Sequence, residues 1–153
     1  MAQSNKLPQL VLEAPNRWQD YELLDCGEGQ KLERYGAYRL LRPEPEAVWQ
    51  KKLPVHEWGQ VHAEFKPAPE ENGGHWKYRQ QMPARWIMSY KQLRFYVQTT
   101  ASRHLGVFPE QAAQWDWIGQ QIERSQRPLR VLNLFGYTGL ATAAAVQDRK
   151  SVV

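Results

Sequence analysis

The apolar residues of this chain change period once, after Phe108, and that change limits the folds open to it. Upstream, short runs such as "DYELLD", "QKLERYG" and "AYRLLRP" are punctuated by Gly27, Gly29 and Gly36. Short β-like runs with glycine at the turns predict a small antiparallel meander over 20–43. "QVHAEFKPA" and "HWKYRQQMP" flank "PEENGG", whose Asn72-Gly73 pair is a turn signal, so a second hairpin is expected there. "RWIMSY" and "LRFYVQTT" read as a third pair of strands turning at Lys91-Gln92. "PEPEAVWQKKLP" holds too much proline for a strand and reads as a connector with one helical turn around 46–50. Residues 1–19 are polar and read as a loose arm.

Downstream the spacing becomes helical. Ala112, Trp115, Ile118 or Gly119, and Ile122 share one face, which predicts an amphipathic helix over 109–125. Pro109 near its start and Glu110 in its first turn suit a helix N-terminus. "RPLRVLNLF" then reads as a short apolar strand buried on both faces, "GYTG" as a turn, and "LATAAAVQ" as the start of a second helix. A β-rich half feeding a helix–strand–loop–helix half defines a mixed α/β chain: a β-rich appendage, then the opening of an α/β binding domain. There is no internal repeat and no low-complexity tract.

Composition excludes several classes. No apolar run approaches the ~18–20 residues a bilayer span needs. The N-terminus lacks the layout of a signal peptide, so a cytoplasmic address and no membrane partner are expected. The single cysteine, Cys26, rules out an internal disulfide and a cysteine zinc cluster, and the four histidines show no metal spacing. His56 and His62 read as ordinary surface or hairpin residues, and no metal is expected.

The net charge of +4 is modest, but it is concentrated. From Lys66 to Leu105 there are seven cations (Lys66, Lys77, Arg79, Arg85, Lys91, Arg94, Arg103) against Glu70 and Glu71. Trp76, Tyr78, Trp86, Tyr90, Phe95 and Tyr96 are interleaved with them. Hairpins with aromatics facing a core and cations facing water account for most of these residues. A minority is expected to contact nucleic acid, because cations among stacking rings suit a phosphate backbone with free bases.

The loop "NLFGYTG" carries the functional signal. A glycine at the end of a buried strand lets a ligand approach the backbone. Only Gly136 and Gly139 are present, with Tyr137 and Thr138 between them, so the three-glycine dinucleotide fingerprint is incomplete. A Gly-Lys-Ser/Thr phosphate loop is also absent. A ligand with a small polar end and no diphosphate remains, and S-adenosylmethionine (SAM) meets that description. Many buried strands end in a glycine turn without any ligand, so spacing alone leaves both readings open.

"HLGVFPEQAAQWDWI" followed by "RVLNLFGYTGLATAAA" resembles class I SAM-dependent methyltransferases related to the bacterial 23S rRNA enzymes that modify cytosine C5 or guanine N7. "KLERYGAYRLLRPEPEAVW" looks like the β-rich N-terminal region of a compact branch of that family. The resemblance implies a β-rich antiparallel region over 20–105 and the start of a Rossmann-like SAM-binding domain over 106–147. It implies that Asn133, Phe135, Gly136, Tyr137, Thr138 and Gly139 line the pocket for the methionine half of the cofactor, with Phe108 and Gln111 closing it. Without the resemblance, Gln111 reads as a helix cap and Asn133 as a side chain paired to a neighbouring strand. The implied partner is RNA, ribosomal RNA in particular. From another class, the competing reading is a non-catalytic RNA-binding β-rich module.

The acidic residue that would hold the ribose hydroxyls belongs roughly 20 residues beyond the glycine loop, past the last residue of this chain. Cys26 reads as an incidental turn residue rather than a nucleophile, and the catalytic residues stay unassigned. "DRKSVV" departs from the small residues expected to continue the helix and coincides with a translated sequencing adapter. Residues 148–153 are therefore expected to be a non-native tail and the chain to be an inactive N-terminal fragment. On that expectation, the apolar faces of "VLNLF" and of the Trp115/Ile118/Ile122 stripe lack partner strands, whereas the β-rich half can fold alone.

Overall fold

A computed structural model describes residues 12–15, 18–69, 73–125 and 127–147, and the backbone of 151–152. Most of the 1–19 arm, Asn72 of the second turn and most of the 148–153 tail lie outside these residues.

The meander forms as its glycines predict. Strands β1 (Tyr21–Gly27), β2 (Gln30–Tyr35) and β3 (Tyr38–Pro43) pair antiparallel in sequence order. Glu28 and Gly29 both have positive φ, at 52° and 74°, which is the tight turn whose twist matches a hairpin. Beyond β3 the prediction needs correcting. Residues 46–50 form no helix; the helix is α1 (Val55–Gly59), which begins directly after Pro54.

The 44–62 connector also crosses one face of the sheet. It seats Trp58 and Val61 against Leu32 and Leu41, with Leu24 and Leu53 beside them. After such a crossover, β4 (Ala63–Pro67) runs parallel to β3, so the N-terminal sheet is mostly but not wholly antiparallel. β5 (Gly74–Tyr78) completes a five-stranded sheet in the order β1-β2-β3-β4-β5. Asp25 secures the crossover: its carboxylate accepts the backbone N–H groups of Lys52 (2.9 Å) and Leu53 (2.8 Å) and the Trp58 indole N–H (3.1 Å). Burial works to raise that carboxyl, but these bonds and the Cys26 N–H outweigh it and hold it below its ordinary value.

The third hairpin is a separate antiparallel ribbon, β6 (Arg85–Tyr90) and β7 (Leu93–Gln98). Its alternation divides the residues cleanly. Trp86, Met88, Tyr90, Leu93 and Val97 are buried, whereas Arg85, Ile87, Arg94 and Tyr96 are exposed. The inward set joins Tyr35, Leu40, Ala63, Phe65 and Trp76 from the opposite face of the five-stranded sheet in one core.

A 3₁₀ turn (Pro109–Gln111) leads into α2 (Ala112–Arg124), matching the expected helix. Ala112, Trp115 and Ile122 are buried. This corrects the expectation for that stripe: Trp115 packs on Trp18 and Tyr90, so the helix finds its partner on the ribbon rather than on further strands. The strand expected over 127–135 shrinks to β8 (Leu129–Arg130), paired in parallel with β9 (Ser151–Val152). Leu132, Leu134 and Phe135 are 81%, 76% and 91% exposed instead of buried on both faces. A strand needs neighbours on both edges to be buried that way, and β9 reaches only its first two residues. Helix α3 (Leu140–Val146) follows the glycine loop. Among the described residues, no helix is long and apolar enough to cross a membrane.

Candidate functional site

The segment after β7 and the glycine loop meet across a cavity of about 550 Å³. One wall is Val107, Phe108, Gln111 and Trp115; the other is Phe135, Gly136, Tyr137, Thr138, Leu140 and Ala141. The volume lies within the range for small-molecule sites, and the lining is mainly apolar with a few polar groups.

Two anchors hold the first wall. Gln98 donates its backbone N–H to the Leu105 carbonyl (3.1 Å), so residues 105–106 lie along the free edge of β7. Arg42 donates to the Arg103 carbonyl (2.9 Å), tying the same loop to β3. Arg42 belongs to a buried network: it makes a bidentate pair with Glu33 at 2.7 Å for each bond and donates to the Tyr35 hydroxyl at 2.7 Å. The Tyr21 and Tyr35 hydroxyls donate to the same carboxylate. Burial raises both phenols far above their ordinary range, and the Glu33 charge raises them further, so both remain donors.

The second wall is the loop itself. Tyr137 adopts φ of 45° and Gly139 φ of 84°, and Gly139 donates to the Gly136 carbonyl (2.6 Å), closing a tight turn before α3. Thr138 Oγ1 donates to the Gly106 carbonyl (2.6 Å), which joins the two walls directly. Opposite it, the Phe108 and Tyr137 rings lie 4.9 Å apart. The His104 ring lies 5.1 Å from that of Phe108, tilted against it. Partial burial lowers the His104 pKa, and the charges of Arg103, Arg42 and Lys31 lower it further, so it stands there as a neutral ring.

Of the eight residues the sequence singles out, Phe108, Gln111, Phe135, Gly136, Tyr137 and Thr138 line this cavity. Asn133 and Gly139 do not. Asn133 donates to the Thr142 hydroxyl (2.9 Å) and accepts from the Phe135 N–H (3.3 Å), so it braces the loop against α3 instead of pairing with a strand. Gly139 supplies the left-handed turn. Gln111 sits at the N-cap of α2 but makes no side-chain cap bond, leaving its amide available to the cavity. Sequence reasoning missed Val107, Trp115, Leu140 and Ala141. Trp115 lies one helical turn beyond Gln111, so the 3.6-residue period was the signal that could have found it. Among the described residues, no group of three or more His, Cys, Asp or Glu side chains converges as a metal site would.

Comparison with known proteins points the same way. No family profile and no curated protein matches the chain. Among solved structures, a SAM-dependent methyltransferase from Agrobacterium tumefaciens is 39% identical and superposes with a TM-score of 0.81 over 95% of this chain. A provisionally assigned SAM-dependent methyltransferase from Streptococcus mutans, 18% identical, superposes with a TM-score of 0.58 over 85% of it and supports the fold. The chain spans less than half of either protein, 47% and 36% respectively.

Proposed function

We propose that this chain is part of a SAM-dependent methyltransferase acting on RNA, with ribosomal RNA as the substrate class and the cytoplasm as its place of action. The observation that carries the reading is the cavity between 107–111 and 135–141, built on the glycine loop that resembles the methyltransferase first motif. The likeness to the Agrobacterium enzyme supports the class. The chemistry of the walls fits SAM. Gln111 offers an amide to the cofactor's amino-acid end, and Phe108, Phe135 and Tyr137 offer rings to its apolar parts and to a sulfonium cation. SAM, when bound, supplies an electrophilic methyl group.

This chain's residues bind and orient. Thr138, held by the Gly106 carbonyl, keeps the loop against the first wall, and Trp115 closes the floor away from water. No carboxylate lines the cavity among the described residues, so nothing there grips the ribose hydroxyls, and affinity for SAM is expected to be weak.

Gly136 provides a clean test. A β-carbon there meets nothing within 4 Å, and its backbone conformation carries no positive φ, so a valine costs the fold little. It does add bulk to the cavity wall. Gly136→Val is expected to abolish SAM binding in equilibrium dialysis while leaving the melting temperature unchanged. Undiminished binding would remove the cavity from consideration as the cofactor site. A non-catalytic RNA-binding module is the second reading, favoured by Arg85 stacked on the exposed Tyr96; failure of the wild-type chain to bind SAM at all would favour it.

A further inference from the structure

We infer that the outward face of the β6–β7 ribbon is a stacking platform for a single-stranded segment of RNA; the inference rests on the RNA reading above and gives it a surface. Cross-strand register puts Ile87 opposite Tyr96, and Arg85 and Arg94 near the two ends of the same face. Tyr96 is 54% exposed and Ile87 46% exposed, and both arginines are exposed. The Arg85 guanidinium lies 3.7 Å from the centre of the Tyr96 ring. Among the described residues, neither arginine has an acidic ion-pair partner, in contrast to Lys91, which is paired with Asp116.

Alternation on this face runs Arg85, Ile87, Ser89 on β6 and Arg94, Tyr96, Gln98 on β7, with no carboxylate in either row. Arg85, lying on the Tyr96 ring, and Arg94, two residues along β7, put two cations beside a ring that stays half exposed, an arrangement complementary to a phosphate backbone with a base between successive phosphates. A duplex keeps its base faces stacked inside, so only an unpaired base can lie on Tyr96.

The backbone of β7 also adjoins the loop that leads into the candidate cofactor cavity. A β-carbon at Gly106 would lie 4.0 Å from the Tyr96 carbonyl oxygen and 3.8 Å from Thr138 Cγ2. Residue 106 is thus wedged between the platform strand and the cavity loop, and residues 107 and 108 continue directly into the cavity wall. The strand that carries Tyr96 is therefore joined through residue 106 to the cavity wall.

Fluorescence anisotropy of the full chain with a labelled single-stranded oligoribonucleotide, repeated across a salt series, tests this. Tyr96→Ala is expected to weaken binding about tenfold at fixed salt, the usual cost of one lost stacking ring. Arg85→Ala combined with Arg94→Ala should lower the slope of log affinity against log salt by about 0.7 per arginine. Arg124→Ala, which removes an exposed charge from the last turn of α2, should leave both unchanged. Wild-type behaviour in the Tyr96 and double-arginine variants, equal competition by a duplex of the same length, or no RNA binding by the wild type would each overturn the platform. Dialysis against SAM on the same preparations separates the two ideas. SAM binding without RNA binding sinks the platform and leaves the methyltransferase reading; RNA binding at Tyr96 without SAM binding does the reverse.

Discussion

Glu33 is only 1% exposed and Arg42 only 4%, yet both are charged, and the way their charges are satisfied decides how the β-rich half communicates with the cavity. The carboxylate receives two bonds from Arg42 and one each from Tyr21 and Tyr35, while Arg42 spends its remaining reach on the Arg103 carbonyl. Arg42→Ala leaves the carboxylate buried with two neutral donors, and breaking a buried pair in this way typically costs about 3–5 kcal/mol. The expected outcome is a loss of that order in urea unfolding, together with a looser 103–108 segment detectable by hydrogen exchange at Leu105 and Val107. A variant as stable as the wild type would show that water, not Tyr21 and Tyr35, satisfies Glu33 after the change. Nothing in the sequence marked this network: Glu33 and Arg42 sit in runs that read as ordinary half-exposed strands. Their burial arises only because the ribbon and the 103–108 loop close over that face.

At the scale of elements, local chemistry was legible and partnership was not. Glycines and alternation located seven of the nine strands among the described residues, and Pro109 with the 3.6-residue spacing located α2. The crossover was missed because Trp58 and Val61 give no local sign that they will pack on Leu32 and Leu41. The cavity was legible in large part, since the glycine loop and the residues before α2 are local motifs; Trp115 was missed because its role depends on how α2 turns toward the loop. The 131–135 run shows the opposite failure. The composition predicts that its apolar residues are doubly buried, yet Leu132, Leu134 and Phe135 are exposed, and among the described residues the strand pairing stops at Arg130. An exposed edge of this composition templates association. Leu134→Lys is therefore expected to reduce concentration-dependent light scattering while leaving the melting temperature within about a degree, since a surface substitution of this kind changes stability by at most about 0.5 kcal/mol. Scattering that persists would place the sticky surface elsewhere.

Across the whole molecule, one buried cluster joins residues on both sides of position 105. Trp18, ahead of β1, lies 4.8 Å from the Tyr90 ring of the ribbon and 6.1 Å from the Trp115 ring of α2, and Tyr90 is 5.8 Å from Trp115. Polar bonds lock the same junction: the Trp18 indole donates to the Ser89 carbonyl (2.7 Å) and the Tyr90 hydroxyl to Asp116 (2.7 Å), while Lys91 pairs with Asp116 (2.5 Å). One core thus includes residues from the arm, the ribbon and the helix. Removing Trp115 leaves a cavity bordered by rings from both halves, with a cost of about 3–5 kcal/mol for a buried tryptophan cut to alanine. If the halves unfold as a unit, Trp115→Ala should shift the far-ultraviolet signal of the helices and the hydrogen-exchange protection of β2 and β3 by the same amount, in a single transition. Trp117→Ala, one face away and 55% exposed, should shift neither by more than about 0.5 kcal/mol. Loss of helix signal with β2 and β3 unmoved would instead mean that the five-stranded sheet stands alone and that the shared core adds to α2 without stabilising the sheet. The distinction matters for function, because one cavity wall includes Trp115, whose ring rests on Trp18 and Tyr90. If the shared core holds α2 in place, it also holds the wall that Phe108 and Trp115 present to Tyr137.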